Sequence, residues 1–121
     1  MSKSIKEISE SINNFANERG WENSDPNQLI ASIHIELGEL AEHYQWKDNF
    51  TKLDEDEKRE VGFEFVDVMF YLFRLASKSG IDIEKYFDSK IEKLAVKFPV
   101  GADRKTQHDL YRKVGKNKKY E

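Results

Sequence analysis

Four carboxylates stand in two pairs of equal spacing and are the residues of this sequence best suited to chemistry. Glu36 and Glu39 lie three positions apart, and Glu64 and Asp67 repeat that interval after 24 intervening residues. On an α-helix, residues at i and i+3 share one side. Carboxylate oxygens suit Mg²⁺ or Mn²⁺, whereas nitrogen and sulfur ligands suit zinc or copper. If the two pairs face each other, the pattern predicts an all-oxygen site for Mg²⁺, with Mn²⁺ as the alternative ion.

The second pair lies in the most apolar segment of the chain. Within residues 61–76 only Glu64, Asp67 and Arg74 are charged. As a helix with about 100° per residue, this segment collects its polar side chains on a stripe roughly 80° wide. The stripe consists of Glu60, Glu64, Asp67, Tyr71, Arg74 and Lys78. Because burying unpaired charge is costly, a bound cation is expected beside the two acids, with Arg74 or Lys78 as the alternative source of positive charge.

Apolar residues recurring every three to four positions predict four helices that would carry these acids. The helices cover residues 3–19, 26–47, 55–79 and 83–97. Asp25 before Pro26 is typical of a helix start. Asp54, followed three residues later by Glu57, has the spacing of an N-terminal capping pair. No convincing strand alternation is found, so the predicted fold class is all-α, a four-helix bundle.

The last part of the chain differs in charge from the rest. Residues 100–121 hold seven Lys or Arg and three Asp or Glu, whereas the whole chain has a net charge of −3. We therefore expect a helical domain over residues 1–99 and a basic tail over 100–121, mostly coil with one helical turn near 106–113. The acidic body disfavours nucleic acid as a partner, because duplex binding depends on a basic surface.

Several classes of protein are disfavoured by composition. The chain contains no cysteine, so neither a disulfide framework nor a thiolate metal site is expected. Residues 61–76 are too few and too acidic to cross a membrane, and no signal-peptide pattern is recognised, so a cytoplasmic protein is expected. A ferritin-like di-iron bundle would need Glu-x-x-His ligands, which neither acid-bearing helix offers at the right places.

The third helix also predicts an oligomer. Its apolar face spans roughly 280° of the circumference, far more than the face of somewhat over 100° that a four-helix bundle requires. Three other helices of one chain could hardly cover that surface. A homodimer or homotetramer is therefore expected.

The order of the motifs resembles the MazG-like all-α nucleoside triphosphate pyrophosphohydrolases, and most closely their dCTP pyrophosphatase-like branch. The paired acids stand inside ELGELAEHYQWK (36–47) and EFVDVMFYL (64–72), both typical of that branch. FANERGW (15–21) precedes them, and SK (89–90) with KFP (97–99) follows in the same order. The resemblance covers about residues 12–99.

This resemblance implies hydrolysis of a nucleoside triphosphate between its α and β phosphates, giving the monophosphate and pyrophosphate, with dCTP or a modified pyrimidine nucleotide as the substrate type. It implies that the catalytic and Mg²⁺-binding set is Glu36, Glu39, Glu64 and Asp67. It also implies that the substrate-binding set is Trp21, Trp46 and Tyr71 around the base and Lys90 and Lys97 near the phosphates. The family's assembly is a dimer of helical hairpins, often paired into a tetramer, with sites formed between chains.

One departure from the family pattern leaves an alternative function open. Leu94 replaces the asparagine of the phosphate-binding element that begins at Lys90, so the alternative is a helical bundle that binds metal or nucleotide without turnover. Ile12 stands where close relatives carry histidine, so the base preference of those relatives is not carried over. Trp21 and Trp46 also suit core or interface packing. The four phenylalanines of the third helix are interpreted as packing residues outside the site: Phe63, Phe65, Phe70 and Phe73.

Overall fold

A computed structural model describes residues 2–48, 52–101 and 103–114 of the 121-residue chain. The helices are α1 (Ile5–Glu18), α2 (Pro26–Glu42), α3 (Glu55–Lys78), α4 (Ile83–Lys97) and α5 (Arg104–Val114). Within the described ranges no strand is present. The prediction of an all-α protein is confirmed. Residues 115–121, the end of the predicted basic tail, lie outside the described residues.

Side-chain caps fix the starts of the helices that carry the acids. Asp25 accepts a hydrogen bond from the backbone N–H of Asn27 at 2.8 Å, with Pro26 at the first helical position of α2. Asp54 accepts from the N–H of Glu57 at 2.9 Å, and the Glu57 side chain accepts from the N–H of Asp54 at 3.2 Å. Such caps satisfy N–H groups that have no partner inside the helix. Both predicted helix starts are confirmed.

Two boundaries differ from the prediction. α2 ends at Glu42, and residues 43–47 form a turn in place of the predicted last helical turn. Lys47, at the end of that turn, forms an ion pair with Glu57 on α3. At the other end of the protein, α5 is a full helix of 11 residues where the sequence predicted coil with one turn. Asp103 caps its start by accepting from the N–H of Thr106 at 2.7 Å.

Contacts divide the chain into two compact units, Met1–Ile81 and Asp82–Glu121. In the first unit, α3 packs against both α2 and α1, so the helix that carries the second acid pair is its central element. In the second unit, α4 packs against α5. Among the residues whose burial is described, the buried apolar ones are Ile12, Ala16, Leu29, Val61 and Phe73, all in the first unit. The predicted division into residues 1–99 and 100–121 stays a prediction.

The described helices are between 11 and 24 residues long. Over the described residues, none of them has both the length and the apolar character that crossing a membrane demands.

Candidate functional site

The register of α2 against α3 brings the two acid pairs together. Glu36 lies beside Glu64 and Asp67, whereas Lys47, eleven residues further along, meets Glu57. Residue numbers rise along one helix as their partners' numbers fall along the other, so the two helices are antiparallel. This arrangement is the one that the paired motif requires.

Three of the four predicted acids converge. Glu36, Glu64 and Asp67 each offer a carboxylate oxygen, and these atoms lie within 4.8 Å of one another. Glu36 and Glu64 are half-buried, while Asp67 is exposed. Glu39 is exposed and lies outside this group of three, but its side chain hydrogen-bonds to that of Glu36. The structure thus assembles a three-carboxylate cluster with Glu39 at its edge.

The electrostatics of the cluster leave it short of positive charge. Burial raises the pKa of Glu36 from 4.5 to about 7, helped by the hydrogen bond to Glu39 and by the negative charges of Glu39, Asp67 and Glu64. One oxygen of Glu36 and one of Glu64, Oε2 in each, are buried without a hydrogen-bond partner among the described residues. Buried carboxylate oxygens are costly unless something pairs with them. A hard divalent cation held by carboxylates fits this donor set.

Neither predicted source of compensating charge reaches the acids. Arg74 donates from Nη2 to the backbone oxygen of Trp21 and to Ser24 Oγ, and Lys78 donates from Nζ to the backbone oxygen of Glu22. Both side chains therefore bind the loop between α1 and α2. The alternative in which they neutralise Glu64 and Asp67 is not what the structure shows.

A histidine that is absent from the predicted site lies at the cluster. His43 Nε2 is 3.8 Å from Glu64 Oε1, and both side chains are about a quarter exposed or less, at 26% and 21%. His43 begins the turn after α2 and is on the side that faces α3. Only the helix register identifies this contact, because His43 and Glu64 are far apart in the sequence.

An aromatic cavity opens beside the acids. Its volume is about 480 Å³, and it is lined by Ser11, Ile12, Phe15, Trp21, Glu36, Asp67, Phe70 and Tyr71. Phe15 makes edge-to-face contacts with Trp21 and with Phe70, both at a centroid distance of 5.9 Å, and Phe70 contacts Tyr71 in the same way at 5.6 Å. Cavities of this size with apolar walls and a few polar groups are typical of small-molecule sites.

The cavity places several predicted residues and corrects one interpretation. Trp21 and Tyr71 line it, together with two of the acids. Phe70, interpreted from the sequence as packing outside the site, is part of the same wall, so that interpretation is wrong. The cavity wall therefore includes not only residues of the polar stripe of α3 but also Phe70, which lies next to Tyr71.

Of the remaining predicted residues, Trp46 belongs to the first compact unit and the two lysines belong to the second. Trp46 lies in the turn after α2 and is 87% exposed, and it does not line the cavity. Lys90 and Lys97 are on α4, in the second unit, where Lys90 is exposed and Lys97 is buried. Their contribution to substrate binding stays a prediction.

Comparison with known proteins agrees with the geometry. The model of the MazG-like family matches residues 31–115. The chain is 33% identical over 95 residues to dCTP pyrophosphatase 1 of Rattus norvegicus and, equally, to that of Mus musculus, and each match covers 74% of this chain and 56% of the relative. It is 34% identical over 83 residues to dCTP pyrophosphatase 1 of Homo sapiens, which covers 64% of this chain and 49% of the relative.

The chain spans about half the length of the curated relatives it matches. The family match nevertheless covers well over half of the chain and includes both acid pairs. The resemblance drawn from the sequence motifs is confirmed: this chain belongs to the MazG-like family, and the curated relatives to which it is similar are dCTP pyrophosphatases.

Proposed function

We propose that this protein hydrolyses a nucleoside triphosphate, of the dCTP type, to the monophosphate and pyrophosphate in the presence of Mg²⁺. One observation carries the proposal: the carboxylate cluster, which has two buried oxygens without a hydrogen-bond partner among the described residues, borders an aromatic cavity. Glu36 and Asp67 belong to both the cluster and the cavity wall. A ligand in the cavity would therefore have its polar end at the acids and its ring among the aromatic side chains.

The acids and the aromatic rings of the cavity wall suit the two parts of a nucleotide. A triphosphate carries several negative charges and would be repelled by bare carboxylates. Mg²⁺ bound there supplies the positive charge that reverses this field and activates the phosphoryl group and water. We assign the metal-binding role to Glu36, Glu64 and Asp67, with Glu39 as the fourth acid of the set. Glu39 and Glu64 are the candidate proton acceptors for the attacking water.

The aromatic wall is assigned to the base. Trp21 and Tyr71 offer ring surfaces, and stacking of a base on an aromatic ring is worth about 1–3 kcal/mol in nucleic-acid binders. The hydroxyl of Ser11 is a polar group in the same wall that could hydrogen-bond to a base edge. The phosphate-side roles of Lys90 and Lys97 and the base-side role of Trp46 are carried over from the family resemblance.

We also propose that the protein works as a dimer or tetramer. Large apolar side chains are exposed along α3: Phe63 (65%), Phe65 (56%), Val66 (50%) and Leu72 (46%). Exposed apolar surface of this extent is typical of subunit contacts. The high exposure of Trp46 supports the same proposal, because a partner chain could cover it. The cytoplasmic location expected from the sequence stays a prediction.

The direct test is a pyrophosphate-release assay with a panel of ribo- and deoxynucleoside triphosphates and MgCl₂. We expect turnover of dCTP, release of dCMP and pyrophosphate, and loss of activity in EDTA. Asp67→Asn should abolish turnover while leaving the helical CD spectrum intact. Asp56→Asn is the matched control, because Asp56 is exposed on the same helix and forms only an i, i+3 ion pair with Arg59. Equal activity of the two variants would refute the site.

The second candidate is a bundle that binds metal and nucleotide without turnover, and Leu94 in place of the family asparagine favours it. Calorimetric titration with dCTP and Mg²⁺ separates the two functions. Binding at micromolar affinity without any pyrophosphate release from the whole panel would establish the binder and exclude the hydrolase.

A further inference from the structure

Arg74 is an arginine that the proposed reaction does not use and that is nonetheless buried. It lies on α3, three residues after Tyr71, and is only 6% exposed. Its Nη2 atom donates to two acceptors, the backbone oxygen of Trp21 and Ser24 Oγ, the latter at 2.8 Å. A buried arginine is expected to have its donors paired, and here the described partners belong to the loop of residues 21–24.

The guanidinium also lies among the aromatic rings behind the cavity wall. Its carbon is 6.0 Å from the centroid of the Trp21 ring and 5.9 Å from that of Phe70. Both distances are within the range of a cation–π contact. Arg74 does not line the 480 Å³ cavity; it lines a smaller cavity of about 240 Å³ together with residues of α1 and α3. It therefore supports the aromatic wall without touching the space that a ligand would fill.

A few other hydrogen bonds, among the described residues, also hold the loop of residues 21–24. The Trp21 backbone N–H donates to Ala16 O at 2.9 Å, and Ser24 Oγ donates to the Trp21 oxygen at 2.9 Å. Gly20, just before Trp21, has a φ of 72°, a left-handed conformation in which the chain reverses after α1. Lys78 holds the loop one turn further along α3, at Glu22. Arg74 is the tie that reaches the backbone of Trp21 from the acid-bearing helix.

We propose that Arg74 is a positioning residue, which fastens the 21–24 loop to α3 and so holds the Trp21 ring in the cavity wall. The planar guanidinium suits this task, since its donors have fixed directions and its face packs against rings. Glu64 and Asp67 lie on the same helix, so Arg74 sets the Trp21 ring at a fixed place relative to the acids. The link to nucleotide affinity rests on the proposed function, whereas the link to Trp21 does not.

The first test follows Trp21 directly and needs no activity. In a Trp46→Phe background, the fluorescence of Trp21 is measured in the parent, in Arg74→Met and in Arg59→Met. Arg59 is the matched control, because it is an exposed arginine of α3 whose ion pair is local. We expect Arg74→Met to shift the emission to longer wavelength and to increase quenching by acrylamide, with Arg59→Met unchanged. An Arg74→Met protein whose Trp21 emission and quenching match the parent overturns the proposal.

The second test concerns binding and separates positioning from a general structural effect. With the α,β-imido analogue of dCTP, Arg74→Met should weaken affinity about tenfold, the size of one lost stacking contact. The Mg²⁺-induced rise in melting temperature should be kept, because the acids are untouched, and in turnover KM should rise with kcat little changed. Loss of the Mg²⁺ response together with the nucleotide response would overturn the assignment, since Arg74 would then serve the whole fold.

Two milder variants cover the case in which Arg74→Met does not fold. Ser24→Ala removes one acceptor and leaves the Trp21 oxygen available, so a smaller change of the same sign is expected. Arg74→Lys keeps the positive charge but loses the planar guanidinium with its several donors. Its Trp21 emission and quenching should fall between those of the parent and those of Arg74→Met. If neither variant alters Trp21 fluorescence, the proposal fails. If the parent binds no nucleotide at all, the proposed function fails, while the fluorescence test of Arg74 stands by itself.

Discussion

Replacing Glu36 by glutamine tests whether the carboxylate cluster is an electrostatically strained metal site. Glu36 has one buried oxygen without a partner and lies within 4.8 Å of oxygens of Glu64 and Asp67. Its pKa is raised to about 7, above the ordinary value of 4.5. The folded state therefore holds this proton more tightly than the unfolded chain does. Glu36 supports the metal-free fold fully below pH 4.5, and that support is lost as the pH rises through 7.

The size of the effect follows from the geometry. Two full charges 4.8 Å apart repel by about 3 kcal/mol at an effective dielectric constant of about 20. The raised pKa of Glu36 indicates a destabilisation of the same order, because one pH unit corresponds to about 1.4 kcal/mol. The glutamine amide is not perfectly accommodated among acids, which offsets part of the gain. We expect Glu36→Gln to stabilise the metal-free protein at pH 8 by about 1–2 kcal/mol, which is roughly 5 °C in melting temperature.

The assay is thermal unfolding followed by CD at one fixed protomer concentration, in EDTA or in saturating MgCl₂. In EDTA the wild type should lose stability between pH 5 and pH 8 more steeply than Glu36→Gln. In MgCl₂ the order should reverse, because ligand at 100 times its Kd stabilises by about 2.7 kcal/mol and the variant binds it weakly. Glu10→Gln, an exposed acid of α1, is the control. A variant with the wild-type pH dependence and the full Mg²⁺ response would refute the reasoning.

Three further predictions concern the cavity, the surface of α3 and the turn after α2. Tyr71→Leu should raise KM for dCTP about tenfold with kcat little changed, as measured by pyrophosphate release; an unchanged KM would remove Tyr71 from the base site. Phe65 and Leu72 are exposed positions seven residues apart on α3. The double variant Phe65→Glu/Leu72→Glu should reduce the mass measured by light scattering to that of one chain. The control Arg59→Glu, at an exposed residue of the same helix, should leave the mass unchanged. Lys47→Met should speed amide exchange in residues 43–47 with only a small loss of stability, because the Lys47–Glu57 pair is only partly buried. Exchange equal to the wild type would show that this ion pair does not hold the turn.

Much of the fold could be predicted because the signals that delimit the helices are local. Asp25 with Pro26 and Asp54 with Glu57 fix helix starts through bonds within three residues. α5 was missed because it contains few apolar residues, although Asp103 offered a capping signal. The end of α2 was placed too late because the chain leaves the helix to pair Lys47 with Glu57, and that tie depends on how α2 and α3 pack.

The site was predictable where residue type and spacing decide it. The two acid pairs indicated a cluster, and Tyr71 followed from its place on the polar stripe of α3. The partners of Arg74 were not predictable, because they are a backbone oxygen and a hydroxyl about 50 residues away in the sequence. The His43–Glu64 contact and the inclusion of Phe70 in the cavity wall likewise depend on helix register and cavity width. The sequence pattern indicates neither feature.

Glu64, Asp67, Tyr71 and Arg74 lie on one uninterrupted helix, α3, so helix geometry fixes the distances between them. Each residue adds about 1.5 Å of rise and 100° of rotation, so the separation between the acids and the ring wall is fixed by peptide geometry. Inserting a single residue between Asp67 and Tyr71 would rotate Tyr71 and Arg74 by about 100° relative to the acids, and so turn them away from the cavity. Side chains at the ring end can instead be exchanged one at a time, so selectivity for different bases could diverge among related proteins while the acidic end stays the same.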